Sequence, residues 1–485
     1  MQALIGIDIG TSAVKGVLCT LSGGRLAGYA APYPTARPAP RRVEQDAADW
    51  WAHVMAALDH FAGVAARDGV QVAGIGVTSQ VNTHLFCGPG LTPLAPAIVW
   101  QDGRAAEHGA ALESRVTAEE KTRALGAPIP IDASHALSRM GWMAGTAPDI
   151  WAETAHVLLP KDWVIARLTG RVSGDPISAV GLVGPDHRYA APVLALVARA
   201  AQVLPPLADP LDIAGRVLAG PFAGVPVVTG TMDAWASMFG TGVASEGQAM
   251  NLSGTSEVLG LISARRRPEP GVITFPEWRA ITLHAGPTQA GGASLGWLAR
   301  LFSTDVADLP EPAPVIADSP LFLPHLEGER APLWDMAARG AFAGLSGATG
   351  PAEMVAAVME GVAFSARLAL EALERSGDRR VSAVQAGGGG TTSDAWCAIR
   401  ADALGRSVIR MEARDAGAMG AMVMAGVGTG LLPDLATAAK SLVREDRRFT
   451  PDPEGARLAD TRFALWRALY AGVGPVNAGL AAGRG

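Results

Sequence analysis

Apolar residues open the chain as a short run broken by a single carboxylate, Leu4-Ile5-Gly6-Ile7-Asp8-Ile9-Gly10, and Val14 to Thr20 follows as a second run. Ser22-Gly23-Gly24 then turns into Arg25 to Tyr33, so the pattern predicts three consecutive strands joined by tight turns. From Asp46 to Ala65 the apolar positions take helical spacing, with Asp46 as the N-cap, and Val72 to Thr78 reads as another buried strand. Strands grouped first with helices after them predict an α/β fold, a mixed sheet with helices packed on its faces.

Half a chain later the opening recurs. Val225 to Gly230 reads as a strand, Ala234 to Gly240 as a helical segment, and Gln248 to Ile262 as the start of a second three-stranded unit. Ile9-Gly10-Thr11-Ser12-Ala13-Val14-Lys15-Gly16-Val17 aligns with Ser253-Gly254-Thr255-Ser256-Glu257-Val258-Leu259-Gly260-Leu261, sharing Gly-Thr-Ser, the following Val and the second Gly. A repeat placed after an apolar strand in both halves points to duplication. The expected architecture is two similar domains, 1–245 and 246–485, meeting near Ala244 to Gly247.

Composition narrows the class of protein. The 485 residues are 49% hydrophobic and 18% charged, which suits two or three globular domains and excludes a disordered or fibrous chain. A formal net charge of -6 gives no overall pull toward nucleic acid or anionic lipid. The cysteines, Cys19, Cys87 and Cys397, are too widely spaced for a CxxC-type zinc site and odd in number for a disulfide framework. Asp8 arrives too early for a signal peptide, and the uncharged stretch Ala416 to Pro433 holds five glycines, so it reads as a tightly packed core helix with its turn rather than a membrane span. A cytoplasmic protein is expected.

A strand that ends in Gly-Thr-Ser and turns straight back exposes backbone N–H groups and two hydroxyls, a concavity that suits a phosphate. One such turn is also an ordinary hairpin; two copies favour phosphate. A third glycine cluster, Gly387-Gly388-Gly389-Gly390-Thr391-Thr392-Ser393, lies between an expected strand Ala383 to Ala386 and a helix running through Ala403, where bare backbone lets a flat ring or a phosphate approach. The chain has no Gly-Lys dipeptide, no GxGxxG and no HExxH, so the minimal parts of P-loop, dinucleotide and metalloprotease sites are missing. Two carboxylates stand out instead. Asp8 interrupts a buried strand, where an unpaired charge is costly, and Asp233 follows the end of another. Each is also readable as a cap or a buried hydrogen bond. The counterpart of Asp8 in the second copy is Leu252, so one turn keeps a metal-compatible carboxylate that the other lacks, an arrangement that suits a single magnesium ion.

Taken together, these residues resemble the FGGY family of carbohydrate kinases, most closely its xylulokinase-like members. Gly6-Ile7-Asp8-Ile9-Gly10-Thr11-Ser12 is similar to the family's first phosphate motif, and Val43-Glu44-Gln45-Asp46 with Trp50 to its early signature. Trp100-Gln101-Asp102-Gly103-Arg104, Pro160-Lys161-Asp162-Trp163 with Leu168-Thr169-Gly170, Gly328-Glu329-Arg330-Ala331-Pro332, Gly340 to Leu345 and Glu360-Gly361 continue the likeness in collinear order through almost the whole chain. The resemblance implies two actin-like, ribonuclease H-type domains with ATP and sugar in the cleft between them. It casts Asp233 as the base and Asp8 as the Mg2+ organiser. Thr11, Ser12, Lys15, Gly254 and Thr255 would hold phosphates, Gly388, Gly389 and Ser393 would lie along the adenosine, and Gln80, Asn82, Asp102 and Asp233 would line the sugar pocket. The implied reaction is phosphorylation of a terminal hydroxyl of a small ketose or polyol, a ketopentose such as xylulose first among them.

The chain departs from the family at Ser79-Gln80-Val81-Asn82-Thr83-His84, where xylulokinases carry Gln-Met-His-Gly and glycerol kinases Gln-Arg-Glu. That argues against glycerol and leaves the epimer open among xylulose, ribulose, erythrulose and the pentitols. His84 would share a strand face with Asn82 if the strand continues, although a core or surface histidine is the better explanation for it. Retention of Asp8 and Asp233 weighs against a non-catalytic sugar sensor on the same fold, and the 35 residues after Thr450 are too few for the peptide-binding domain of a chaperone-type ATPase. Oligomeric state is left open, a homodimer included.

Overall fold

The computed structural model describes residues 1–412 and 414–482. The chain forms two compact units, Met1–Gly242 with Asp415–Val443, and Val243–Arg414 with Arg444–Gly485. The chain first crosses from one unit to the other between Gly242 and Val243. The return of Asp415–Val443 to the first unit is a difference from the expected split.

In the first unit the strands are β1 (Gln2–Ile9), β2 (Ala13–Thr20), β3 (Arg25–Pro32), β4 (Gln71–Ser79), β5 (Ile213–Arg216) and β6 (Pro226–Val228). They form a 6-stranded sheet ordered β3-β2-β1-β4-β6-β5. The meander β1–β2–β3 is antiparallel, β4 and β6 join it in parallel, and β5 closes the edge antiparallel. On one face lies the helix Ala47–Arg67, capped by Asp46, whose side chain accepts from the Ala48 N–H; it buries Trp50, Val54, Phe61 and Val64 at the spacing read from the sequence. The helix Ala416–Gly428 also packs on this sheet, and its glycines and alanines explain why it belongs here. A side chain at Gly6 or Gly76 would run into the carbonyls of Ala418 and Ala421, and one at Gly420 into the carbonyl of Ala236. Backbone meets backbone, which only small residues permit.

The second unit repeats the plan with β7 (Ala249–Ser253), β8 (Glu257–Ile262), β9 (Ile273–Thr274), β10 (Leu283–Pro287), β11 (Ala383–Gly387), β12 (Ser407–Met411) and β13 (Glu445–Phe449). Its 7-stranded sheet runs β9-β10-β8-β7-β11-β12-β13. Apart from the added edge strand β9, β10-β8-β7-β11-β12 match β3-β2-β1-β4-β6 in order and sense, and each sheet adds an antiparallel outer strand that follows its neighbour in the chain in the second unit (β13) and precedes it in the first (β5). The long helix Pro351–Ser376 and the helix Asp394–Leu404 lie against it. All three cysteines are buried, and no disulfide joins them. Among the described residues no helix is long and apolar enough to cross a membrane.

Candidate active site

In the first unit Asp8 stands near the end of β1, opposite Lys15 of β2. Burial, and after it the neighbouring charge of Asp233, push its carboxyl up to about 7, while Lys15 pulls the other way. Its Oδ1 is inaccessible and has no hydrogen-bond partner, and a side chain at Gly417 would collide with its carboxylate. Lys15 is half-open to solvent and lies 3.7 Å from Asp415, which also meets Arg25 at 3.3 Å. Asp233 opens the helix Asp233–Gly240 just beyond β6. Its Oδ1 accepts the Ala234 N–H at 2.8 Å. Desolvation outweighs that bond and raises the carboxyl to about 6.

Beneath Asp233 lies a buried scaffold that local sequence did not mark as functional. Thr231 Oγ1 donates to Asp175 Oδ1 at 2.8 Å, and its carbonyl accepts from Thr78 Oγ1 at 2.6 Å. Asp175 Oδ2 in turn meets Lys161 Nζ at 2.8 Å, which also meets Asp162 at 2.6 Å. One cation between two carboxylates, all three buried, holds the segment leading into Asp233. The Lys161 N–H donates to Ser79 Oγ at 3.1 Å, so the same scaffold reaches the end of β4.

The turn at Thr11 and Ser12 has its carbonyls tied inward. Tyr33 OH donates to Gly10 O, Gln45 Nε2 to Thr11 O at 2.7 Å, and the Tyr33 N–H to Ser12 O at 3.2 Å. Trp100 Nε1 donates to Thr11 Oγ1 at 3.0 Å. Gln80 Nε2 donates to Gln45 Oε1 at 2.7 Å, while Gln80 Oε1 is buried without a partner. β4 ends at Ser79, and Asn82 takes a left-handed φ of 52°. His84 therefore does not continue a strand face with Asn82. It is buried and neutral, its Nδ1 2.8 Å from Arg139 Nη1, and burial holds its pKa well below the usual range. Arg139, itself fully buried, also donates to the carbonyls of Asn82, Ile98 and Val99. That bonding pins the loop carrying Asn82, whose Nδ2 reaches Ser134 Oγ at 3.4 Å. Asp102 is deeper than expected for a pocket residue: one oxygen accepts the Val43 N–H, and both pair with Arg104. Nothing in the local pattern marked Arg139, because a lone arginine on a helix reads as a surface residue.

The second unit repeats the inward-tied turn. Gly254 O accepts the Gly292 N–H at 2.8 Å and Thr255 O the Ala293 N–H at 3.0 Å, from the start of the helix Gly292–Leu301. Thr255 is exposed, and Glu257 is fully buried. Glu257 forms an ion pair with Arg400 and accepts from Ser253 Oγ at 2.7 Å. Arg400 Nη1 donates to Gly390 O at 2.8 Å, so this pair joins the Gly254–Ser256 turn to the glycine loop. Gly388 adopts φ 91° with its Cα against the Ser253 backbone, a position that excludes other residues. Gly389 has open space around it. Ser393 caps the helix Asp394–Leu404, its Oγ accepting the Trp396 N–H at 3.2 Å.

Two family domains match the chain in succession. The N-terminal domain of the FGGY family of carbohydrate kinases matches residues 3–240, and its C-terminal domain matches residues 249–429. The chain belongs to this family. Among curated relatives, the xylulose kinase of Bacillus subtilis is 28% identical over 502 residues, covering 99% of each chain. The glycerol kinase of Gloeobacter violaceus is 30% identical over 495 residues, covering 96% of this chain and 95% of that one. Among solved structures, the xylulose kinase of Rhodospirillum rubrum superposes with a TM-score of 0.85 at 26% identity, covering 98% of this chain and 99% of that one. The protein is therefore a carbohydrate kinase, an enzyme that transfers a phosphoryl group to a sugar alcohol group. Relatives with different acceptors lie at similar identity, so identity alone does not choose the substrate.

Proposed function

We propose that this kinase transfers the γ-phosphoryl group of ATP to a terminal hydroxyl of a ketopentose, xylulose first among the candidates. The observation that carries the reading is Asp233, a carboxyl at a helix start whose pKa burial raises to about 6. Such a group is ionised at neutral pH yet basic enough to take a proton from a sugar hydroxyl as it attacks. Asp175 and Lys161, through Thr231, hold the approach to it. Gln80, with its buried unpartnered Oε1, and Asn82, with both donor and acceptor, are the side chains assigned to the sugar. Asp102 acts through Arg104 and Val43, positioning rather than touching. Thr11, Ser12 and Lys15 on one unit and Gly254 and Thr255 on the other are assigned to phosphates, with Gly388, Gly389 and Ser393 along the nucleoside.

Asp8 fits magnesium: it offers a buried oxygen that no protein group satisfies. Among the described residues no cluster of three or more His, Cys, Asp or Glu side chains forms a metal cage. A divalent ion held by one or two carboxylates together with substrate phosphates is the mode magnesium favours. When bound, the ion would neutralise phosphate charge as the phosphoryl group moves. The protein's own part is positioning: tied-back carbonyls leave donors toward the anion, and Asp233 receives the hydroxyl proton.

The curated relatives named as xylulose kinases support the ketopentose, and the absence of the Arg-Glu pair after Gln80 weighs against glycerol, despite the Gloeobacter relative. ATP turnover measured with D-xylulose, D-ribulose, L-ribulose, L-xylulose, erythrulose, ribitol, xylitol and glycerol tests the reading. Best turnover on glycerol or an aldohexose would refute it.

A further inference from the structure

Arg330, in the Gly328-Glu329-Arg330-Ala331-Pro332 segment, lies beside the second Gly-Thr-Ser turn. Its Nη2 donates to Thr288 O at 2.6 Å and reaches Ser256 Oγ at 3.3 Å. The residue is partly open to solvent. Desolvation lowers its pKa, and the charge of Glu329 acts against that loss. The carboxylate of Glu329 is fully engaged elsewhere. One oxygen accepts the Gln289 and Arg330 backbone N–H groups, and the other meets His325 Nδ1 at 3.0 Å and Ser365 Oγ at 2.9 Å. Glu329 therefore fixes the backbone on which Arg330 stands without forming a side-chain ion pair with the guanidinium.

We propose that Arg330 is a phosphate-binding residue of the second turn, holding the phosphate chain of the nucleotide alongside Gly254 and Thr255. The inference rests on the kinase reading above and adds a residue to it. The physical case is an asymmetry between the two turns. The first has Asp8 close by, an anion that needs a cation between it and phosphate. The second has Leu252 at that position and a guanidinium next to its Ser256 hydroxyl. Both turns have their carbonyls bonded inward, so acceptors that would repel an anion face away from it. A planar guanidinium partly removed from water is well suited to charge-assisted bonds with phosphate oxygens.

The test compares the wild type with Arg330→Gln and Arg330→Lys, measuring steady-state kinetics and equilibrium binding of ADP and of adenosine. Arg330→Gln should weaken ADP binding and raise the KM for ATP at least tenfold, with adenosine affinity and sugar KM changed less than twofold. Arg330→Lys, which keeps the charge and loses the fork, should recover part of the loss. Equal losses for ADP and adenosine, or unchanged ADP binding in Arg330→Gln, would overturn the assignment. If Arg330→Gln fails to fold, the ADP-to-adenosine selectivity of Arg330→Lys decides: a loss confined to ADP supports the proposal, and unchanged selectivity overturns it. A wild type without sugar-dependent ADP formation would instead bring down the kinase reading, whatever the variants did.

Discussion

At the scale of single residues, Asp233 is set by two opposed effects, a helix-start N–H that favours the anion and a desolvated surrounding that disfavours it. The second wins, and the carboxyl sits at about 6. Asp8, facing the Asp233 charge, sits at about 7, so protons leave the two groups in coupled steps. Two signs follow. Turnover at low sugar should rise with pH through about 6 and then level off, because only the carboxylate accepts a proton. The stability that these two carboxyls contribute in the metal-free protein should fall as pH rises from about 4 to about 7, because the folded state is there the better proton binder, whereas buried neutral histidines such as His84 act with the opposite sign. The difference in melting temperature between wild type and Asp8→Asn across that range isolates this second sign, and a difference unchanged or rising with pH would contradict it. Asp233→Ala should lower sugar-dependent ADP formation by the 10²–10⁴-fold, roughly, that a general base supplies, with the melting temperature little changed. A variant retaining more than about a tenth of the turnover would remove the role. Asp8→Asn should shift the magnesium titration of turnover to higher concentration while leaving sugar KM in place, and an unchanged titration would refute the assignment.

At the scale of elements, close packing of the helix Ala416–Gly428 makes its own prediction. Gly420→Ala drives a methyl into the Ala236 carbonyl. An overpacked site costs about 1–3 kcal/mol or more. A lowered urea midpoint at unchanged slope is expected, and an unaltered midpoint would show that the helix does not press on Asp233–Gly240. Glu257→Ala should cost more, about 3–5 kcal/mol, since it leaves Arg400 buried without its carboxylate. The meander, the Gly-Thr-Ser turns, the Asp46-capped helix and the two odd carboxylates were legible in the sequence because each is a local break in a local pattern. Charged residues joined across the fold were not. Glu257 and Arg400 are 143 residues apart, and Lys161 meets Asp175 only because strands and loops bring them together. The left-handed turn at Asn82 was hidden for a related reason: Arg139, more than fifty residues away in sequence, holds it. The small-residue helix Ala416–Gly428 was readable as buried, but no local feature shows which sheet it covers.

At the scale of the molecule, the two units share a five-strand core of matching order and carry two turns of unlike chemistry, one with Asp8 and one with Arg330 nearby. On the proposed function, that divergence lets one unit serve the metal and acceptor while the other serves the nucleotide. The acceptor is set by few contacts, and a site that pairs each hydroxyl rejects an analogue lacking one by roughly 10⁴–10⁵-fold. Asn82→Ala should therefore raise the KM for the true substrate and flatten discrimination between ketopentose epimers, and unchanged epimer ratios would take Asn82 out of the pocket. The most direct test of the whole account is ADP formation by the wild type and Asp233→Ala, with magnesium and ATP, with and without each ketopentose and pentitol. The account predicts release that depends on a ketopentose and nearly vanishes in Asp233→Ala. ADP formation indifferent to every sugar, or undiminished in Asp233→Ala, would contradict it.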